Sequence, residues 1–355
     1  MHPFAKALLV AFPAGALASL ASVPLPWVIG PMIGCMVANL LGAGLACPQA
    51  ARHAGQWAVG VSLGLFFTPA VVASLVRYAP WIAATIVWAM LFSVAFAWVL
   101  MRWAGADRQT AFFAGVAGGA SEMAIQGERH GARVDQVAAC HALRIMLVVI
   151  TLPLAFRLLG LGGTDPYDAG VQTFDLAGAT AIGALALAAA VLLHRLGLPN
   201  AWILGPLAVA FALTASGQSW SAWPQSVVIG GQTLLGASFG VRFTPDFFSR
   251  APRFLSVAAI ATLAGIVACA VAGGALGWLA GVPVATMVLA TAPGGIAEMT
   301  LTAKSLRLGV PVVTVFQVSR MVAMVFLAEP LFRLFGRLGS DPPGERRSPG
   351  GPDGC

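Results

Sequence analysis

Apolar residues run along this chain in blocks of about twenty, separated by short polar stretches, and show neither strand-like alternation nor the single stripe of a surface helix. Six blocks fall in the first half, over 4–22, 27–46, 55–76, 79–103, 109–128 and 134–158. Six more fall in the second, over 176–194, 200–216, 227–248, 254–280, 284–304 and 310–335. A helix of roughly 20 apolar residues crosses a bilayer, so the pattern predicts an all-α polytopic membrane protein. Lys6 and the apolar run to Ala21 have the look of a signal peptide, but a matching run precedes the second set of blocks, so a retained first helix is expected.

The blocks are two copies of one unit. Pro24, Trp27, Gly30 and Pro31 recur 175 residues later as Pro199, Trp202, Gly205 and Pro206. After a one-residue slip, Gly55-Gln56 recurs as Gly231-Gln232, and Phe67-Thr68-Pro69 as Phe243-Thr244-Pro245. Gly118-Gly119-Ala120-Ser121-Glu122-Met123 recurs as Gly294-Gly295-Ile296-Ala297-Glu298-Met299, and His141-x-x-Arg144 as Gln317-x-x-Arg320. The chain therefore divides into a first repeat over 1–160, an acidic connection over 161–175 with Asp165, Asp168 and Asp175, a second repeat over 176–338, and a tail over 339–355. That tail is rich in Pro and Gly and is expected to be disordered.

Two blocks of each half look interrupted: the third, with spaced glycines before Phe-Thr-Pro, and the fifth, with its Gly-Gly pair and carboxylate. Irregular backbone at membrane depth persists only where protein or a water-filled cavity satisfies it. Interrupted helices at matching places in two halves point to a transport site.

Composition fixes the class. Of 355 residues 59% are hydrophobic and 9% charged, with a mean hydropathy of +0.86, where a soluble domain carries about 25% charged residues. The net charge of +7 is spread singly between apolar runs and forms no basic stripe, so direct nucleic-acid binding is not expected. The five cysteines have no C-x-x-C spacing, which predicts free thiols with neither zinc nor a disulfide framework.

Charge also decides between topologies. If all twelve blocks span, nine Lys and Arg fall on each side. If the fifth block of each half is instead a re-entrant hairpin, fourteen lie on one side and four on the other, namely Arg77, Arg157, Lys304 and Arg307. The second count obeys the positive-inside rule. Five spans per half then invert the second repeat, predicting a transporter-like fold of inverted 5+5 transmembrane helices, two re-entrant or broken helices and cytoplasmic termini.

Glu122 and Glu298 are symmetric carboxylates in apolar surroundings, beside the hairpin glycines Gly118, Gly119, Gly294 and Gly295. Arg144 and Arg320 are the symmetric cations of the last helix in each half. Ionisable groups in a membrane mark substrate or ion sites, so these four are candidates for a binding centre. They equally suit two structural ion pairs that pin the hairpins. His141 shares a helix face with Arg144 and is either a proton-coupling group or a hydrogen-bonded packing residue. Gln56 and Gln232 either line the same cavity or bond between helices. Trp27 and Trp202 read as interfacial anchors, and His130 as interfacial.

Pro-Trp-x-x-Gly-Pro, Gly-Gly-x-x-Glu-Met and His-x-x-Arg, taken together, resemble the membrane AbrB family of Gram-negative bacteria, in which an AbrB duplication domain occurs twice. The likeness covers residues of roughly 10 to 336, and the second copy departs at Ala297 and Gln317. It implies the family's labels, regulator of gene expression and ammonia monooxygenase. An oxygenase needs several ligands converging on one metal. Among the five histidines only His141 lies well inside a block, so no metal, no cofactor and no enzymatic activity are expected.

The resulting expectation is a multi-pass protein of the bacterial inner membrane, in contact with the lipid bilayer. It carries or senses an unknown small solute or ion through a site between the repeats. The alternative is a membrane-embedded regulator acting through a partner, and a homo-oligomer is compatible with either.

Overall fold

In the computed structural model the described residues are 2–164, 173–218, 220–245, 247 and 251–338. Asp165, Asp168 and the 339–355 tail, named above for charge or disorder, lie outside them, as does Arg250, one of the fourteen cations counted on one side. The described part is helical without strands.

The first repeat contains α1 (Pro3–Leu20), α2 (Pro26–Leu40), α3 (Gln49–Gly64), α4 (Pro69–Leu75), a 3-10 turn at Val76–Tyr78, α5 (Ala79–Ala104), α6 (Arg108–Gly115), α7 (Ala120–Arg129) and α8 (Val134–Leu158). The second contains α9 (Leu176–Arg195), α10 (Ala201–Ala215), α11 (Gln225–Gly240), α12 (Pro252–Ala280), α13 (Val284–Thr291), α14 (Ile296–Leu306) and α15 (Val310–Leu338). Six helical stretches are long and apolar enough to cross a membrane: Pro3–Leu20, Pro69–Ala104, Val134–Leu158, Leu176–Arg195, Pro252–Ala280 and Val310–Gly336. Pro26–Leu40 and Ala201–Ala215 are shorter and apolar. At 1.5 Å per residue these two reach only about 22 Å.

Local sequence sets the boundaries. Asp107 accepts from the Thr110 amide at 2.8 Å to open α6, and Asp175 accepts from Gly178 at 2.6 Å to open α9. Gly105 and Gly281, at φ of 66° and 64°, end the copies α5 and α12 in the left-handed region that glycine adopts without strain.

Packing cuts across the repeats. The first three helices of one repeat pack on those of the other, through α2 with α11, α3 with α10, and α3 with α11. The later helices form a second group, through α5 with α12, α8 with α12, and α5 with α15. The two groups meet where α3 touches α14 and α15.

Matching helices run antiparallel. Along α5 and α12, Trp88 donates to Cys269 and Trp103 accepts from Arg253, so the register falls on one helix as it rises on the other. Along α3 and α11, Gly55 faces Leu235 and Gly231, while Gly231 faces Ala58. The third block of the first repeat is interrupted as expected, but after its glycines, at 65–68 between α3 and α4. Residues 49–64 form one continuous helix, and Gly55, Gly60 and Gly64 let neighbouring backbone approach. A Cβ on Gly60 would stand 2.7 Å from the Ile203 carbonyl.

The fifth block breaks as well, and it folds back. The Arg133 amide, beyond α7, donates to the Thr110 hydroxyl at the start of α6 at 2.8 Å, and Phe113 packs on His130 with ring centroids 5.3 Å apart. A straight helix would separate Phe113 from His130 by about 25 Å, so α6 and α7 form a hairpin. In the second repeat Thr286 and Gly309, the copies of Thr110 and Arg133, also meet, which makes α13 and α14 the matching hairpin.

Candidate functional site

Each hairpin turns through extended backbone at its Gly-Gly pair. Gly119 and Gly295 are the N-caps of α7 and α14, and neither helix has a side-chain cap from that position. The carboxylate three residues on folds back over that turn, Glu122 against Gly119 and Glu298 against Gly295, each where a Cβ would otherwise sit. Each places an anion at the positive end of the helix dipole. The preceding glycine has its own tenant. Met123 packs on Gly118 and Met299 on Gly294, with the Cε of Met123 3.1 Å from the position of a Gly118 Cβ. The motif Gly-Gly-x-x-Glu-Met thus records one hairpin tip: the first glycine lies under the methionine, the second under the glutamate.

The arginines hold the other end of each break. Arg144, 3% exposed, donates to the carbonyls of Gly115 at 3.2 Å and Val116 at 3.0 Å, at the C-terminus of α6. Arg320, 4% exposed, donates to the carbonyls of Ala292 and Gly294, the latter at 2.8 Å, at the end of α13. A guanidinium at a helix C-terminus satisfies carbonyls that have no intrahelical donor and opposes the negative dipole end. Among the described residues neither Glu122 nor Glu298 forms an ion pair with Arg144 or Arg320. Both pairs of side chains cap half-helices instead, so the structural ion-pair alternative is not what holds the hairpins.

His141 and Gln317 serve one purpose. Arg144 donates to His141 Nδ1 at 2.9 Å, which makes Nδ1 the acceptor and leaves the proton on Nε2, 3.0 Å from the Phe113 carbonyl. Gln317 repeats this with its amide: Oε1 accepts from Arg320 at 2.6 Å, and Nε2 donates to the Leu289 carbonyl at 2.7 Å. Leu289 is the copy of Phe113, so a neutral imidazole and a carboxamide make the same two bonds.

The tips and both arginines line one cavity of about 70 Å³, which includes Gly118, Gly119, Gly294, Gly295, His141, Arg144, Arg320 and Glu298. Gln56 lines it as well, but its copy Gln232 does not. Arg52 and Asn200 complete the wall. These two were missed in the sequence because neither belongs to the repeat: Leu25 stands at the copy position of Asn200 and Val228 at that of Arg52. A polar residue replacing an apolar one between copies was the available signal.

Arg52, Gln56 and Asn200 also line a wider space of about 450 Å³ with Glu122, Arg129, His53, His194 and Trp202. It lies beside the cavity as a vestibule. Asn200 reaches the first tip directly, its amide donating to Glu122 Oε1 at 3.2 Å. His53 stacks on Trp202 at 4.6 Å. Among the described residues no three His, Cys, Asp or Glu side chains gather as metal ligands.

A family model described as transition state regulatory protein AbrB matches residues 27–336. The chain belongs to the AbrB family. A Bacillus subtilis (strain 168) protein, "Uncharacterized protein YhjN", is 27% identical over 91% of this chain and 91% of its own length. An Escherichia coli (strain K12) protein, "Putative regulator AbrB", is 23% identical over 87% of this chain and 90% of its own.

Proposed function

We propose that this AbrB-family protein is a transporter-like carrier of a small solute in the bacterial inner membrane, built from inverted 5+5 repeats whose re-entrant hairpins meet at the binding site. The observation that carries the reading is that both hairpin tips, one from each repeat, close a single polar cavity at the contact between two helix groups. Antiparallel α5 and α12 support the inversion, since helices of 26 and 29 residues both exceed a bilayer. Contacts also gather like charges: Arg52 and Arg129 line one vestibule, while Lys304 lies over the Phe66 ring at the other end of α3. This grouping supports the fourteen-to-four division, and the positive-inside rule then puts the termini in the cytoplasm in this reading.

In this reading the protein has no enzymatic activity. The group holding the hairpins rocks against the group of α1–α3 and α9–α11, and the cavity opens in turn to each side. Position 56 tests this. Gln56→Cys, in a background without the native cysteines, is expected to react with an impermeant thiol reagent both in intact cells and in inverted vesicles. Reaction from one side alone would overturn alternating access and leave a ligand sensor. The name of the E. coli relative favours that second reading, a membrane-embedded regulator using the same cavity and acting through a partner.

A further inference from the structure

We propose that the cavity takes a small organic carboxylate, with Arg52 as the residue that binds its carboxylate group. This names the substrate class of the site and rests on the solute-site reading above.

Charge on the cavity wall comes from Arg52, Arg144, Arg320 and Glu298, while Glu122 lines the adjoining vestibule. Each repeat contributes one arginine and one glutamate, and all four are engaged at the ends of their own half-helices. Arg52 is the remainder. It makes no hydrogen bond or ion pair with the described residues; its Nε is buried without a partner, and its guanidinium lies 5.6 Å from the Phe239 ring centre. Arg242, close enough to interact with it, carries the same sign. With Arg129 on the vestibule wall as well, the site holds an excess of positive charge, which an anion offsets and a cation would worsen.

Geometry specifies the anion further. A guanidinium offers a planar fork that fits a carboxylate with two parallel bonds. Gln56 lies four residues from Arg52 and so shares its face of α3; it has no hydrogen-bond partner among the described residues. The Asn200 side-chain amide, unlike its backbone N–H, donates only to the Met321 sulfur, a weak acceptor. These three side chains line both spaces, so they stand at the junction of the cavity and the vestibule. A carboxylate at that junction places the rest of the molecule among Ile125, Leu198 and Val325 of the vestibule wall. Inorganic ions have no use for that apolar wall.

The test uses the full-length protein, purified in detergent, with thermal unfolding followed at constant ionic strength. Acetate, propionate, benzoate, succinate, phosphate, chloride and methylammonium are titrated separately. The carboxylates are expected to raise the unfolding midpoint saturably and phosphate, chloride and methylammonium not, and Arg52→Gln to weaken that binding by about tenfold or more, as loss of a charge-assisted pair does. Arg52→Lys keeps the charge without the fork and should fall between; it also serves if Arg52→Gln fails to fold. Preference for phosphate, chloride or methylammonium overturns the proposal. So does equal carboxylate binding by wild type and Arg52→Gln, or no response to any carboxylate. Counterflow in proteoliposomes separates this from the carrier reading. Carboxylate binding without counterflow of labelled propionate would remove transport and leave the anion assignment, whereas counterflow of methylammonium would remove the anion assignment and leave transport.

Discussion

At the scale of residues, the site rests on side chains that cap broken helices, and His141 shows how this changes a reading made from sequence. As the one asymmetric member of a repeated motif, it suggests a proton-coupling group; its two hydrogen bonds make it an equivalent of Gln317. His141→Gln should therefore keep the unfolding midpoint and any pH dependence of wild type. His141→Leu should cost about 1–3 kcal/mol, because the Phe113 carbonyl and an Arg144 N–H lose their partner in a buried site. Thermal unfolding in detergent checks both, and if His141→Gln is as damaging as His141→Leu the equivalence fails. The repeat made Glu122, Glu298, Arg144 and Arg320 legible, since apolar surroundings single out ionisable groups. Their true partners were not legible, because backbone carbonyls exposed by a helix break leave no mark in side-chain identity. Arg52 and Asn200 escaped because a search for matches passes over positions where the copies differ.

At the scale of elements, the hairpins followed from charge and glycine pairs, but the glycines of the third block carried a different message. A glycine that breaks a helix and one that admits a neighbouring helix look alike in a single sequence. Contact distances separate them. Gly60 approaches the Ile203 carbonyl and Pro206, whereas Gly230 in α11 has nothing within 4 Å of its missing Cβ. Gly60→Ala should destabilise the protein by about 1–3 kcal/mol by forcing α3 from α10. Gly230→Ala should be neutral or stabilising by up to about 1 kcal/mol, as alanine is the better helix former. Unfolding midpoints of the two variants in the same detergent measure this contrast, and equal effects would contradict tight α3–α10 packing.

For the whole molecule, the duplication and the membrane class were plain in the sequence, because a repeat at one offset and twelve apolar blocks leave few alternatives. The sequence could not display how the copies interleave. Linear order suggests two consecutive units, while burial of the apolar faces sets α1–α3 against α9–α11 and the later helices against one another. That exchange brings the two tips into one cavity, since each hairpin packs in a group built from both repeats. The central claim is that these hairpins enter from opposite sides of the membrane. Arg129 and Ser305 are exposed copies of one position near the hairpin bases, and single cysteines there, in a background without the native five, can be labelled in intact cells with an impermeant thiol reagent. The account predicts that Ser305→Cys reacts and Arg129→Cys does not until the membrane is opened; equal reaction of both in intact cells would contradict it.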